Sequence, residues 1–142
     1  MTEIHHPNKK HVHPVTILES HLDYFGHVNH AVYLTLLEEA RWDMITARGY
    51  GLKRIQETGQ GPIVLEVTIR YRRELRLRKK VLIETELISY EKKLARIHQE
   101  IKDQEGHIYC TADFKFALFD LKNRKLVNPT PEWLKALGLP HK

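Results

Sequence analysis

Four residues near the start of the chain have types and spacing suited to chemistry at a carbonyl group: Asp23, Gly26, Asn29 and His30. A carboxylate can attack a carbonyl carbon or activate water, and a glycine lets the backbone approach a ligand closely. If Asn29 caps a helix, the first amides of that helix would face the site and stabilise a developing negative charge. The alternative is structural: Asp23 would only bond turn amides, and Asn29 would only cap.

The elements that must position these residues can be predicted from hydrophobic periodicity. Alternation predicts a strand over 15–22, and helical spacing predicts a long helix over 29–47, which Gly49 and Gly51 end. Residues 50–62 are typical of a loop. Strand patterns follow at 63–71, 80–90, 94–102 and 108–119, with tight turns between the last three. After a polar loop at 123–129, Thr130 caps a short helix that begins at Pro131.

These elements predict an α+β fold. Consecutive strands joined by short turns are antiparallel neighbours, and one long helix needs a sheet to pack against. We therefore expect an antiparallel sheet wrapped around the helix, as a single domain over 14–142. In the strand at 63–71, alternation predicts one apolar face made of Ile63, Leu65, Val67, Ile69 and Tyr71. Because the far side of the sheet also carries apolar groups, we expect a homodimer, with a homotetramer as a further option.

Residues 1–13 are polar and lack periodicity, which predicts a flexible arm. Its histidines could bind a metal ion, but they lie on a segment expected to be flexible and no cysteine accompanies them, so a solvated tail is the favoured interpretation and no metal site is predicted. These histidines are His5, His6, His11 and His13.

Composition narrows the class of protein. With 142 residues, 42% hydrophobic and 29% charged, the chain fits one globular domain. No segment approaches the ~20 apolar residues of a membrane span, and the polar N-terminus does not resemble a signal peptide. The single cysteine, Cys110, excludes an internal disulfide and favours the cytoplasm.

The net charge of +5 is concentrated between Arg70 and Lys80. Such a cluster attracts phosphate groups of a nucleic acid or of a small molecule; alternatively, it protects an edge strand from aggregation. No aromatic stacking platform accompanies it, so nucleic acid is not a predicted partner.

The opening stretch, placed on this element order, closely resembles the 4-hydroxybenzoyl-CoA thioesterase-like family of hotdog-fold acyl-CoA thioesterases. The resemblance covers roughly 14–133 and rests on a string of matching positions: Asp23, Gly26, His27, Val28, Asn29, His30, Ala31, Tyr33 and Leu34, then Glu38, Glu39, Ala40 and Arg41, and finally Arg70 and Tyr71. The chain departs from the family at three places. His21 replaces an acid that many relatives carry, His30 replaces a second asparagine, and Glu74 replaces a proline.

The resemblance implies a hotdog fold and hydrolysis of an acyl-CoA or aryl-CoA without a cofactor. It favours Asp23 as the nucleophile or general base and His30 as a further catalytic residue. From the residues themselves, the amides of His30 and Ala31 are the expected oxyanion donors, the His30 ring can also donate or orient Asp23, and Asn29 can cap the helix and position water beside the Gly26 turn. Glu38 is the reserve carboxylate, because another hotdog branch uses a helix glutamate. Two alternatives stay open: a thioesterase acting on acyl carrier protein, and a non-catalytic acyl-CoA-binding protein. The expected substrate-binding residues are Tyr24, Phe25, Tyr33, Arg70, Arg72, Arg73 and Arg78.

Overall fold

The computed structural model describes residues 10–139, which form six strands and three helices. The strands are β1 (His11–Thr16), β2 (Gln60–Tyr71), β3 (Lys80–Glu91), β4 (Leu94–Lys102), β5 (Ile108–Asp120) and β6 (Lys125–Val127). The helices are α1 (His30–Ala47), α2 (Leu52–Thr58) and α3 (Pro131–Ala136). A short 3₁₀ turn, Glu19–His21, lies between β1 and α1.

All six strands form one antiparallel sheet in the order β1-β3-β4-β5-β2, with β6 pairing with β5. β1 and β2 flank α1 in the sequence, yet they form opposite edges of the sheet. The predicted α+β architecture, with one long helix packed on an antiparallel sheet, is confirmed.

The core lies between α1 and the inner face of the sheet. α1 buries apolar residues at helical spacing: Tyr33, Leu36, Leu37, Ala40, Met44 and Ile45. Each large side chain buried in this way contributes about 1.5–3 kcal/mol. A polar contact also crosses the layer, because the Gln99 side chain donates to the main-chain oxygen of Leu37 at 3.0 Å and to the Thr85 hydroxyl at 2.9 Å.

Several predicted boundaries are wrong. β1 begins at His11 rather than at 15, so residues 11–13 of the expected flexible arm belong to the sheet; residues 1–9 lie outside the described part. The expected loop at 50–62 contains α2, which ends at Gly59 with φ of 72°. The polar loop at 123–129 contains β6. Short amphipathic segments of this kind carry too few apolar positions for periodicity to identify them.

The prediction of which β2 residues share one face is also wrong for the first half of the strand. The register shifts by one residue between Val64 and Glu66, which is a β-bulge at Leu65. Val64 and Val67 lie opposite Phe116 and Phe114, so they share the inner face. Ile63, on the other side of the bulge, consequently points to the outer face.

The outer face of the sheet carries charged pairs. His98 lies 2.8 Å from Asp113, and Lys102 lies 2.8 Å from Glu84, both as cross-strand pairs. Exposed apolar side chains lie along β2, at Val64, Leu65, Val67 and Tyr71, and elsewhere on the sheet at Val12 and Leu94. Within residues 10–139, no helix is long and apolar enough to cross a membrane.

Candidate active site

Asp23 lies at the start of a tight turn that precedes α1. The Gly26 amide donates to the Asp23 main-chain oxygen at 3.1 Å, and Gly26 has φ of 82°, a conformation that favours glycine. A Cβ on Gly26 would meet no atom within 4 Å, so the turn needs glycine for its φ value rather than for space. The Phe25 amide donates to Oδ1 of Asp23 at 2.9 Å. Oδ2 has no hydrogen-bond partner within residues 10–139, so one carboxylate oxygen is anchored and the other is available.

The predicted pair of oxyanion donors at the start of α1 is reduced to one. Asn29 is the N-cap, as predicted, and its Oδ1 accepts from the Ala31 amide at 2.9 Å. The Ala31 amide is therefore occupied by the cap, which corrects the expectation that it binds an oxyanion. The His30 amide makes no hydrogen bond in the described part of the chain, so it is the amide that α1 offers to a ligand.

Asp23 and His30 line the same pocket, whose volume is about 470 Å³. The sequence predicted Phe25, Tyr33, Arg72 and Arg73 as further members, and the structure places all four there. The pocket is completed by His27, Val28, Tyr71 and Glu74. Asp23 also lines a second pocket of about 520 Å³, together with Leu22, Tyr24, Asn29 and Val32.

This geometry can be compared with known proteins. The sequence model described as "Thioesterase-like superfamily" matches residues 17–137. The chain belongs to the thioesterase-like superfamily.

Relatives within the superfamily agree with this assignment. The chain is 33% identical to long-chain acyl-CoA thioesterase FadM of Escherichia coli over 106 residues, which are 74% of this chain and 80% of the relative. It is 26% identical to L-carnitine dehydrogenase/betainyl-CoA thioesterase of Agrobacterium fabrum, covering 87% of this chain. The chain spans only 26% of that relative's length. The crystal structure of YbaW, a probable thioesterase from Escherichia coli, superimposes with a TM-score of 0.80 at 28% identity, covering 90% of this chain and 98% of that one. The predicted hotdog thioesterase fold is confirmed.

Two tyrosines join β2 to the start of α1. The Tyr71 hydroxyl donates to the main-chain oxygen of His30 at 3.0 Å, and the Tyr33 hydroxyl donates to the main-chain oxygen of Arg73 at 3.3 Å. Their rings meet edge to face, with centroids 5.1 Å apart. Tyr33 is 4% exposed, so it lies beneath the pocket floor and supports it. Burial raises the pKa of Tyr33 above its usual value, which keeps its hydroxyl protonated.

The basic run predicts four arginines that bind the phosphates of coenzyme A, and the structure places only two of them at the pocket. Arg72 and Arg73 line the pocket beside Asp23. Arg78 instead makes a two-pronged contact with Glu19, at 2.6 and 3.0 Å, and Arg70 lies 3.9 Å from Asp113 on the outer face. These last two are not brought to the pocket.

Glu38, the reserve carboxylate, lines a separate pocket between α1, the start of β2 and α3, together with Arg41 and Trp42. Burial lowers the pKa of Arg41 to about 10, against the opposing effect of Glu38. The Arg41 guanidinium packs 4.3 Å from the Phe114 ring and donates to Gln99 at 3.1 Å. This pocket shares no lining residue with the pocket at Asp23.

The aromatic residues that follow Asp23 project away from the protein. Tyr24 is fully exposed and Phe25 is 81% exposed, although the Phe25 ring stacks on His27 with centroids 6.1 Å apart. His27 also lies 3.8 Å from Glu74. These contacts hold His27 as a packed residue in the wall of the pocket.

Sequence reasoning did not assign four lining residues to the site: His27, Val28, Tyr71 and Glu74. The Arg70-Tyr71 pair gave a signal for Tyr71, but only the fold reveals that its hydroxyl reaches α1. Cys110 is no competing nucleophile, because burial raises the pKa of its thiol to about 12.

Proposed function

We propose that this chain hydrolyses the thioester of an acyl-CoA or aryl-CoA to the free acid and coenzyme A. The observation that carries the proposal is that Asp23 and His30 line one pocket at the start of α1, where the His30 amide makes no hydrogen bond within residues 10–139. The relation to FadM, which is named a long-chain acyl-CoA thioesterase, supports the same reaction.

The reaction requires a carboxylate and a donor for the developing negative charge. Oδ1 of Asp23 is held by the Phe25 amide, so Oδ2 is directed as the nucleophile or as the base that takes a proton from water. The His30 amide, at the positive end of α1, donates to the thioester oxygen as it becomes an oxyanion. Water adds to the acyl carbon, the carbon–sulfur bond breaks, and the thiol of coenzyme A takes up a proton.

Arg72 and Arg73 bind the phosphates of coenzyme A in this proposal. Four other cations of the basic run lie near acids: Arg70 near Asp113, Arg76 near Glu74, Arg78 near Glu19 and Lys79 near Asp103. Their charge is largely neutralised, which disfavours a nucleic-acid interface. Arg72 and Arg73 have no ion-pair partner within residues 10–139, so they remain available for a phosphate.

The deciding experiment measures hydrolysis of a panel of acyl-CoAs and aryl-CoAs by the wild type and by Asp23→Asn. We expect kcat to fall by about 10²–10⁴-fold in the variant, because the general base or nucleophile is removed. Asp113→Asn is the matched control, since it removes a carboxylate on the outer face. Full activity in Asp23→Asn would overturn the assignment, and Glu38→Gln would then be tested.

The same panel separates the alternatives. A wild type that binds coenzyme A but hydrolyses no substrate would be an acyl-CoA-binding protein. A preference for acyl carrier protein would appear as a higher kcat/KM for an acyl group on that carrier than for the same acyl group on coenzyme A. Trapping an acyl–Asp23 anhydride with hydroxylamine during a single turnover would identify the nucleophilic route. A general base would leave no such intermediate.

The proposal includes a homodimer formed along β2. Among the strands of residues 10–139, none pairs with the outer edge of β2. Val64, Val67 and Tyr71 on its inner face are exposed, as is Trp42 on α1. An uncovered strand edge with apolar side chains is a surface that a second copy can cover. We place the enzyme in the cytoplasm, in line with its single buried cysteine.

A further inference from the structure

A cluster of two histidines and one carboxylate lies at the sheet edge opposite β2. His11 and His13 are on β1, and Asp43 is on α1. Nε2 of His11 lies 2.7 Å from Oδ2 of Asp43, and Nδ1 of His13 lies 3.3 Å from the same oxygen. The three potential ligand atoms all lie within 4.8 Å of one another.

The two histidines occupy positions that would ordinarily be apolar. His11 pairs with Thr85 and His13 pairs with Ile83, and both of these β3 residues are fully buried. Side chains two residues apart on a strand share a face, so both rings point inward, toward α1. The side chains of His11 and His13 are 15% and 24% exposed, whereas Asp43 is 49% exposed. The cluster is therefore built into the edge of the fold and open to solvent on one side.

We infer that His11, His13 and Asp43 form a binding site for a divalent transition-metal ion of the Zn²⁺ class. Two imidazole nitrogens and one carboxylate oxygen are ligands that suit such ions. With metal–ligand bonds near 2.0–2.1 Å, neighbouring ligands are separated by about 3.0 Å in octahedral and about 3.3 Å in tetrahedral geometry. The distances of 2.7 and 3.3 Å to Asp43 lie within a few tenths of an ångström of these separations, and the two imidazole nitrogens lie within 4.8 Å of each other.

The site is separate from the proposed hydrolytic pocket. Asp43 follows His30 by more than three helical turns, which corresponds to about 20 Å along α1. A bound ion would clamp β1 to α1 and would leave its remaining coordination positions to water. This differs from a second cluster, Asp103, Glu105 and His107, where the Asp103 carboxylate already accepts from two backbone amides, the His107 ring and the Tyr109 hydroxyl.

The test titrates Zn²⁺ into the metal-free full-length chain against a chromophoric chelator, with Co²⁺ absorption as a second probe of the ligand set. We expect one ion per chain, and at least a tenfold loss of affinity in His13→Ala and in Asp43→Asn. The double variant His5→Ala/His6→Ala and the variant His98→Ala, which removes a histidine held by Glu100 and Asp113, should bind like the wild type.

Thermal unfolding supplies an independent readout, because a ligand of the folded state raises the midpoint. Zn²⁺ should raise the midpoint of the wild type and of the two control proteins, but not that of His13→Ala or Asp43→Asn. Each variant is first compared with the wild type in chelator, and His11→Gln replaces any variant that does not fold. Absence of binding, or binding that survives in the site variants and disappears in a control, would overturn the inference.

Discussion

The Tyr71 hydroxyl links β2 to the first residue of α1 through its 3.0 Å bond to the His30 main-chain oxygen. That bond orients the peptide at the start of the helix, next to the amide proposed to bind the oxyanion. The Tyr71 ring is held by its edge-to-face contact with Tyr33. Its hydroxyl fixes the peptide between His30 and Ala31, which adjoins the peptide that carries the His30 amide, so losing the bond would loosen the position of that amide.

We expect Tyr71→Phe to lower kcat about three- to tenfold with little change in KM, because one hydrogen bond of about 1 kcal/mol no longer fixes the amide. Steady-state kinetics on the preferred acyl-CoA measure this. Tyr50→Phe is the matched control, since its hydroxyl contacts Thr58 and Gln60 near the start of β2. An equal loss of kcat in both variants would show that the effect is not specific to Tyr71.

At the level of elements, the outer face of the sheet contains a pH-sensitive contact between β4 and β5. His98 lies between Glu100 and Asp113, at 2.9 and 2.8 Å. Partial burial disfavours the charged ring, but hydrogen bonds to the two carboxylates outweigh it and raise the pKa of His98. The folded state therefore binds the proton more tightly than the unfolded state does.

The stabilisation from His98 should be complete below its unfolded pKa near 6.5 and should decline as pH rises through the higher folded value. We expect His98→Gln to cost up to about 1 kcal/mol more at pH 5.5 than at pH 8.5, a size typical of partly exposed pairs. Urea unfolding at both pH values measures the difference. When Asp113 is already replaced by Asn, the cost of His98→Gln should differ less between the two pH values. An unchanged difference would contradict the contact between His98 and Asp113.

The elements that sequence predicts well are those with long, regular patterns. α1 with its Asn29 cap and the β3-β4-β5 meander follow from periodicity and turn residues, because local preference and tertiary packing agree there. The beginning of β1 could not be predicted, since histidines occupy its inward positions and do not read as apolar. The bulge at Leu65 likewise could not be predicted from the sequence, because it depends on how β2 pairs with β5.

In the candidate site, too, some features could be predicted from the sequence and others could not. Asp23, His30, Arg72 and Arg73 were predicted from the motif and the basic run, and the fold brings them to one pocket. The occupation of the Ala31 amide by Asn29 was not foreseen, although the cap itself was. A cap and an oxyanion compete for the same donors, and only atomic geometry shows which amide remains open.

For the whole molecule, the proposed dimer requires that the exposed apolar residues of β2 stay uncharged. A charge at Val67, which is 38% exposed on the inner face, would lie in an interface formed along that strand. We expect Val67→Glu to shift the protein toward monomer in light scattering coupled to size-exclusion chromatography, because an unpaired buried charge is costly. Glu66→Gln is the control, since Glu66 contacts Lys115 on the outer face. A wild type that is monomeric at all concentrations would rule out the dimer, and a larger mass would indicate the tetramer.

The strand order also bears on how the chain folds. β3, β4 and β5 pair with their neighbours in sequence. β1 instead pairs Val15 with Val81, and β2 pairs Val67 with Phe114, so long segments of chain separate these partners. Closing long loops is slow, so the central meander is expected to form first and the two edge strands to add later. β1 also has few strand neighbours, so its amides should exchange with deuterium sooner than those of β4. Hydrogen-exchange mass spectrometry measures this, and equal protection of β1 and β4 would mean that the sheet opens only as one unit.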